Sequence, residues 1–396
     1  MILTEQEQAF VRQHIDDDLA TLALTAHRYP EISVATLLPS MAALRKIRVK
    51  APSWFRLDLD VPPAMSVEQA SSEQAARFKA SLFSGRRLLD LTGGMGIDAF
   101  FWAKAFEEVV YLERGLALAQ AARHNFALLG AANIRVENLD AERFLLERAE
   151  TFDLIYADPS RRDDQQRRVF RFEDCSPNVL ALRPLLLQRA AHVLVKAAPM
   201  LDLALAQEQM ESIERIWVVS VGGEVKELLL LLGHTRANAD EIPIEAAMLA
   251  AHGTVQFSFN RVEEHTCTPR FSAPQHYLYE PDAALLKAGA FKTFAVRYGL
   301  AKLHPHAHLY TSMALVPEAP ARCFVVEEVL PYDRRVVQRY LPERKANVAV
   351  RHFPDSAEQV RQRLGLSDGG DRYLFGTTGP DGQKILVLCR RTLALI

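Results

Sequence analysis

Asp90-Leu-Thr-Gly-Gly-Met-Gly96 constrains this chain more than any other stretch. It follows Arg87-Leu-Leu-Asp-Leu91, which reads as a short apolar strand with one carboxylate near its end. It precedes Ile97-Asp-Ala-Phe-Phe-Trp-Ala-Lys104, which has helical spacing. Gly93, Gly94 and Gly96 form a turn without Cβ atoms, so backbone can approach a ligand closely. Strand, glycine turn and helix in that order open an α/β sheet whose ligand sits beyond the carboxyl ends of the strands.

Two nucleotides suit such a turn. Gly94-x-Gly96-x-x-Ala99 satisfies the dinucleotide fingerprint G-x-G-x-x-[G/A], so NAD is one reading. Asp90, four residues before Gly94, supports another, because [Asp/Glu]-x-x-x-Gly-x-Gly resembles the first motif of class I S-adenosylmethionine methyltransferases. There the carboxylate helps orient the region around the cofactor's amino acid end. A glycine turn that binds nothing is the third possibility, and the turn alone leaves all three open.

The following segments bear on that choice. Glu107-Glu-Val-Val-Tyr-Leu-Glu113 is a second strand ending in an acid about twenty residues past the turn, placed to accept hydrogen bonds from ribose hydroxyls of either cofactor. A helix from Leu116 to Leu129 and a strand Asn133–Glu137 follow. Asp140 then stands where many methyltransferases bind the adenine amine, and where an aspartate can also cap the helix starting at Ala141. Phe152-Asp-Leu-Ile-Tyr-Ala-Asp158-Pro159-Ser160-Arg161-Arg162 places Asp-Pro-Ser-Arg at the end of the fourth strand. It resembles the [Asn/Asp]-Pro-Pro-[aromatic] element of methyltransferases acting on nucleobase nitrogens, with Ser160 for the second proline and Arg161 for the ring. An arginine can stack on a base or hold a phosphate. NAD enzymes have no such requirement, so the fourth strand favours S-adenosylmethionine. His192–Lys196, Arg215–Ser220 and the run Leu228–Leu232 complete seven expected strands, the last reversed after Gly222-Gly223. That leucine run is far shorter than the roughly 20 apolar residues a membrane span needs.

At 396 residues, 49% of them apolar, the chain has material for two to four units and a large core. Met1-Ile-Leu-Thr-Glu-Gln-Glu7 has acids early and no apolar h-region, so no secretory signal is expected. Cys175, Cys267, Cys323 and Cys389 are scattered without a C-x-x-C pair, which points to a reducing cytoplasm and to neither zinc nor a disulfide framework. A net charge of −2 carries no global mark of nucleic-acid binding. Local basic clusters do occur: Arg45, Lys46, Arg48 and Lys50; then Arg161, Arg162, Arg167, Arg168 and Arg171 after Asp158; and 12 Lys+Arg against 7 Asp+Glu from Pro331 onward.

The flanks read as separate pieces. Thr4-x-x-Glu7 is a capping box opening a helical region to about residue 75, which Pro30 and Pro39 are expected to break into short helices. Gly253–Phe259 alternates as a strand, and a helix is expected to reach Tyr298. Leu303-His-Pro-His-Ala-His308 sets three histidines at alternate positions, but no acid or cysteine stands at ligand spacing, so no metal is expected. Strands at Cys323–Leu330, Ala346–Arg351, Arg372–Phe375 and Lys384–Cys389, with a helix from Ser356 to Leu364, make a compact α+β module.

With these residues in view, the chain resembles bacterial class I methyltransferases that carry a ferredoxin-like insert and a THUMP-like carboxyl-terminal domain. The resemblance rests on Ser71-Ser72-Glu73, Asp90–Asp98, Tyr156–Arg162, Lys196-Ala-Ala-Pro-Met200, Arg351-His-Phe-Pro354 and Gly369–Phe375. Where the family pattern is Glu-Cys-Lys-Glu, this chain has Glu224-Val-Lys-Glu227. The resemblance implies a Rossmann-like, seven-stranded α/β core at 76–274, after a helical region at 1–75 and before ferredoxin-like (275–322) and THUMP-like (323–396) α+β modules. It implies S-adenosylmethionine as cofactor, held by Asp90, Thr92, Gly93, Gly94, Gly96, Glu113, Asp140 and Asp158. Asp158, Pro159 and Ser160 are the expected catalytic residues, with Arg161, Arg162 and Lys196 on the substrate. Since THUMP domains bind structured RNA, the expected substrate is a base in tRNA or rRNA. Two alternatives stay open: a small-molecule or protein methyltransferase, and a non-catalytic RNA-binding protein.

Overall fold

The computed structural model describes residues 4–61, 64–160, 175–235, 238–251 and 253–392. Two compact units emerge, Met1–Glu214 with Leu229–Arg236 and Arg215–Leu228 with Ala237–Ile396.

The first unit opens with helices Glu5–His14, Leu19–Leu24, Val34–Lys50, Ala64–Gln69 and Glu73–Leu82. The Thr4 capping box forms as expected. Pro39, however, lies inside the helix Val34–Lys50 and does not break it. The ring removes one backbone bond, while Val34, Leu37, Met41, Leu44 and Ile47 are buried along one face and hold the helix together. The nearby basic cluster is spent internally. Arg45 donates to the Ile15 and Asp17 carbonyls, Lys46 pairs with Glu68, Arg48 with Asp16, and Lys50 donates to the carbonyls of Val67 and Glu68.

Five strands follow: β1 (Gly85–Asp90), β2 (Phe106–Leu112), β3 (Ile134–Glu137), β4 (Phe152–Ala157) and β5 (Ala190–Ala197). They pair in the order β3-β2-β1-β4-β5, every pair parallel, as helical crossovers require. The intervening helices include Ile97–Trp102, Leu116–Leu128, Ala141–Glu147 and Val179–Arg189. Being central, β1 buries Leu88 and Leu89 completely. Asp90 is level with Tyr111 on β2 and Tyr156 on β4, so Glu113 and Asp158 each emerge two residues past that line. This register brings the three carboxyl ends together.

Strands β6 (Ile213–Val221) and β7 (Glu224–Leu232) each fall partly in either unit. Gly222 and Gly223, both at positive φ, form the two-residue turn between them. The second unit adds strands beyond the expected seven. β8 (Ile244–Ala250) runs parallel to β6, and β9 (Gly253–Phe259), the alternating stretch, runs antiparallel to β8.

A second sheet has eight strands: β10 (Arg270–Phe271), β11 (Tyr277–Pro281), β12 (Ala301–His304), β13 (Ala307–Ser312), β14 (Ala321–Pro331), β15 (Asn347–Arg351), β16 (Arg372–Thr378) and β17 (Lys384–Arg391). Their order is β10-β12-β13-β11-β14-β17-β16-β15. The helix expected after Lys287 forms at Lys292–Arg297, and a separate helix, Ala283–Ala288, precedes it and is closed by Gly289 in a left-handed C-cap. No helix among the described residues is long and apolar enough to cross a membrane.

Candidate functional site

The glycine turn is shaped by what lies beneath it. A Cβ on Gly93 would stand 2.2 Å from the Tyr111 ring, and one on Gly96 would stand 2.5 Å from Phe126. Gly94 and Gly96 adopt φ of 60° and 80°, the left-handed region that side chains disfavour. Gly93 donates to the Leu112 carbonyl at 2.8 Å, and the Tyr111 hydroxyl donates to the Gly94 carbonyl at 2.6 Å. Burial, then the charges of Glu113 and Asp90, push the Tyr111 phenol well above its ordinary range, so it remains a donor.

Glu113, just past β2, accepts the Gly94 N–H at 3.0 Å through one oxygen and the Gly115 N–H at 2.6 Å through the other. A carboxylate has about four lone-pair sites, so it can still receive hydroxyl donors. Asp140 is exposed and caps the helix Ala141–Glu147, accepting the Arg143 N–H at 2.7 Å.

Asp90 is 1% exposed and accepts the Thr92 N–H at 3.0 Å. Burial pushes its carboxyl up to about 8; the Thr92 bond opposes this, and the charges of Asp98 and Asp158 add to it. Thr92 joins two strand ends, since its hydroxyl oxygen accepts the Asp158 N–H at 2.7 Å. The Asp158 carboxylate accepts a hydrogen bond from Lys196 Nζ at 2.6 Å, with the aspartate side chain 36% exposed and the lysine 12%. Ser160 forms an antiparallel bridge with Ser176, its N–H donating at 2.8 Å. Arg161 and Arg162, with Arg167, Arg168 and Arg171, lie outside the described residues.

Behind Asp158 sits a charge network to which the sequence reading gave no role. Lys79, fully buried on the helix Glu73–Leu82, pairs with Asp98 at 3.0 Å. Ser71 Oγ donates to Asp98 at 2.8 Å, accepts from Lys79 at 2.8 Å, and lies 3.4 Å from Lys196 Nζ. The Tyr156 hydroxyl donates to the same Asp98 oxygen at 2.9 Å. Burial alone would raise Asp98, but the charges of Lys79 and Lys196 and the Ser71 bond outweigh it and hold the carboxyl below its usual range. The available signal was a lysine on an otherwise apolar helix face, beside Ala75, Ala76 and Phe78. Among the described residues no group of three or more His, Cys, Asp or Glu is arranged to hold a metal ion.

A turn that only glycine can form, a carboxylate just past β2 and a partly exposed carboxylate paired with a partly buried lysine suit a nucleotide-like cofactor beside a polar acceptor. Comparison with known proteins agrees. Residues 277–320 match the profile of a ferredoxin-like domain and residues 321–391 that of a THUMP domain-like module. A crystal structure of a candidate methyltransferase from Porphyromonas gingivalis W83 is 34% identical and covers 99% of this chain and 100% of its own, with a TM-score of 0.87. Two uncharacterized S-adenosylmethionine-dependent methyltransferases of Mycobacterium tuberculosis, from strains CDC 1551 and H37Rv, are each 26% identical over 309 residues. The match spans 76% of this chain and 80% of theirs.

Proposed function

This chain belongs to a family of S-adenosylmethionine-dependent methyltransferases with ferredoxin-like and THUMP-like modules, and from that premise we propose that it methylates a base in tRNA or rRNA in the cytoplasm. The RNA part of the reading draws support from the THUMP domain-like module at 321–391. The observation that carries the site is Asp158, fixed from two sides and still partly exposed beside the glycine turn.

The residues present fit the cofactor. Gly93 and Gly96 let the turn sit directly on Tyr111 and Phe126, and Gly94, whose Cβ position has no atom nearer than 3.8 Å, leaves room for a cofactor to approach backbone. Asp90 and Thr92 hold that turn, Glu113 has lone pairs left for a ribose, and Asp140 has a carboxylate oxygen available to an adenine amine. When bound, S-adenosylmethionine supplies an electrophilic methyl carbon on a sulfonium.

The chain's own task is alignment and exclusion of water. Asp158 accepts a hydrogen bond from the target amine and aims its lone pair; Lys196 keeps one carboxylate oxygen in place so that the other meets the substrate. Pro159 and Ser160 set the backbone beside it, with Ser160 held by Ser176. Arg161 and Arg162 follow directly and would hold the base or its phosphate.

Tritium transfer from labelled S-adenosylmethionine into total RNA of cells lacking this protein tests the reading. Incorporation that disappears in Asp158→Ala supports it. Calorimetric cofactor binding without incorporation would move the substrate to a small molecule or a protein.

A further inference from the structure

Two motifs that the catalytic reading leaves idle meet in the second unit. His304 and His306 lie at the β12–β13 turn, and His352 directly follows β15. The His304 and His352 rings stack with centroids 4.7 Å apart and 16° between planes, and His306 lies 5.6 Å from both. His352 is held at φ 54°, a left-handed conformation that is uncommon outside glycine. Lys384, at the start of β17, reaches the same place: its Nζ donates to Thr378 Oγ1 at 2.7 Å.

The hydrogen bonds fix what these groups can offer. Thr378 donates its hydroxyl proton to the His352 carbonyl at 2.6 Å. Its oxygen, 3.2 Å from His352 Nδ1, can therefore only accept, so Nδ1 carries a proton. His304 Nδ1 accepts the His306 backbone N–H at 3.1 Å, so in the neutral ring Nε2 carries the proton and is a donor. His304 thus cannot offer an Nε2 lone pair to a metal without losing that bond. Burial, then the charges of His352 and His306 for His304 and of Lys384 and His306 for His352, make both rings hold a second proton less readily than usual, so both favour the neutral form. His304 Nε2–H and the Lys384 ammonium therefore supply donors at one place, while the neutral His352 ring keeps a lone pair on Nε2; an anion bound there would favour protonation of that nitrogen and turn it into a third donor.

We propose that His304, His306, His352 and Lys384 form a phosphate site in the second unit that grips the RNA backbone. This rests on the RNA reading of the substrate. His352, His306 and Lys384 are exposed, and His304 is partly so, leaving the site open to a duplex or loop. Arg351, next along the chain, is not available in the same way because it is paired with buried Glu280.

The test is fluorescence anisotropy of labelled bulk tRNA on the full chain, with titrations repeated across added salt. The variants are His304→Gln/His352→Gln/Lys384→Gln and the single Lys384→Gln, each checked by circular dichroism. Loss of charge-assisted contacts predicts roughly tenfold weaker binding for the triple variant. Losing Lys384 should lower the slope of log affinity against log salt by about one. Calorimetric binding of S-adenosylmethionine should be unchanged. Wild-type affinity and slope in both variants would overturn the site while leaving RNA as substrate. Tight binding of zinc by the wild type that vanishes in the triple variant would overturn it in favour of a metal. No salt-dependent binding of RNA by the wild type would remove the RNA reading itself.

Discussion

Replacing Asp90 by Asn should convert a pH-sensitive core into an insensitive one. The side chain is 1% exposed and accepts the Thr92 N–H, a bond the Asn carbonyl can reproduce. Burial raises the Asp90 carboxyl to about 8, whereas an unfolded aspartate ionises near 4. Between those values the folded protein binds a proton that the unfolded chain has released. Its contribution to stability is therefore full below about pH 4 and falls as pH rises, by about 1.4 kcal/mol per pH unit. By about pH 9 the accumulated loss is roughly 5 kcal/mol. The amide of the Asp90→Asn variant does not titrate and carries no such dependence. Urea unfolding from pH 5 to 9 measures the difference, followed by Trp54 and Trp102, which share the unit, in a Trp217→Phe background. Asp90→Asn should approach or exceed wild-type stability as pH rises, gaining several kcal/mol relative to wild type by pH 9. A difference between the two proteins that stays constant over that range would refute a protonated Asp90.

Other consequences are equally direct. Lys79→Met leaves Asp98 buried without its ion partner and should lower stability by about 3–5 kcal/mol in denaturant titration, with Asp98→Asn in the same chain recovering part of the loss. Gly96→Ala combines φ 80° with a Cβ 2.5 Å from Phe126, so calorimetric binding of S-adenosylmethionine should be abolished. Gly94→Ala, with nothing nearer than 3.8 Å, should show only the left-handed penalty of about 1 kcal/mol. Lys196→Met frees the Asp158 carboxylate and should slow methyl transfer by about a hundredfold while leaving cofactor affinity unchanged within a factor of about three.

The glycine turn was legible because its chemistry depends on neighbours in sequence: a strand, three glycines and a helix need no long-range information. Glu113 and Asp158 were legible for a related reason, since parallel strands of similar length place their ends at one level. Lys79 was not, because its meaning depends on Asp98 and Ser71, which approach it only in the fold. Pro39 misled because tertiary burial of a helix face outweighed a local propensity. The Arg45–Lys50 cluster looked like an open basic patch, and only the packed helices reveal its internal partners. The histidines at 304 and 306 and the one at 352 are separated by more of the chain than any spacing rule spans, so their stacking had no signal in sequence.

The Ser71, Lys79 and Asp98 triad ties the helices before β1 to the helix after it. A fragment starting at residue 76 would retain every glycine of the cofactor turn yet lose the hydroxyl that bridges Asp98 and Lys79; one starting at 85 would also lose the lysine paired with Asp98 and leave it the Tyr156 hydroxyl. The segment ahead of the sheet is thus structurally part of the unit that holds the glycine turn. Chimeras that swap this segment between relatives should fold only when lysine, serine and aspartate travel as a set.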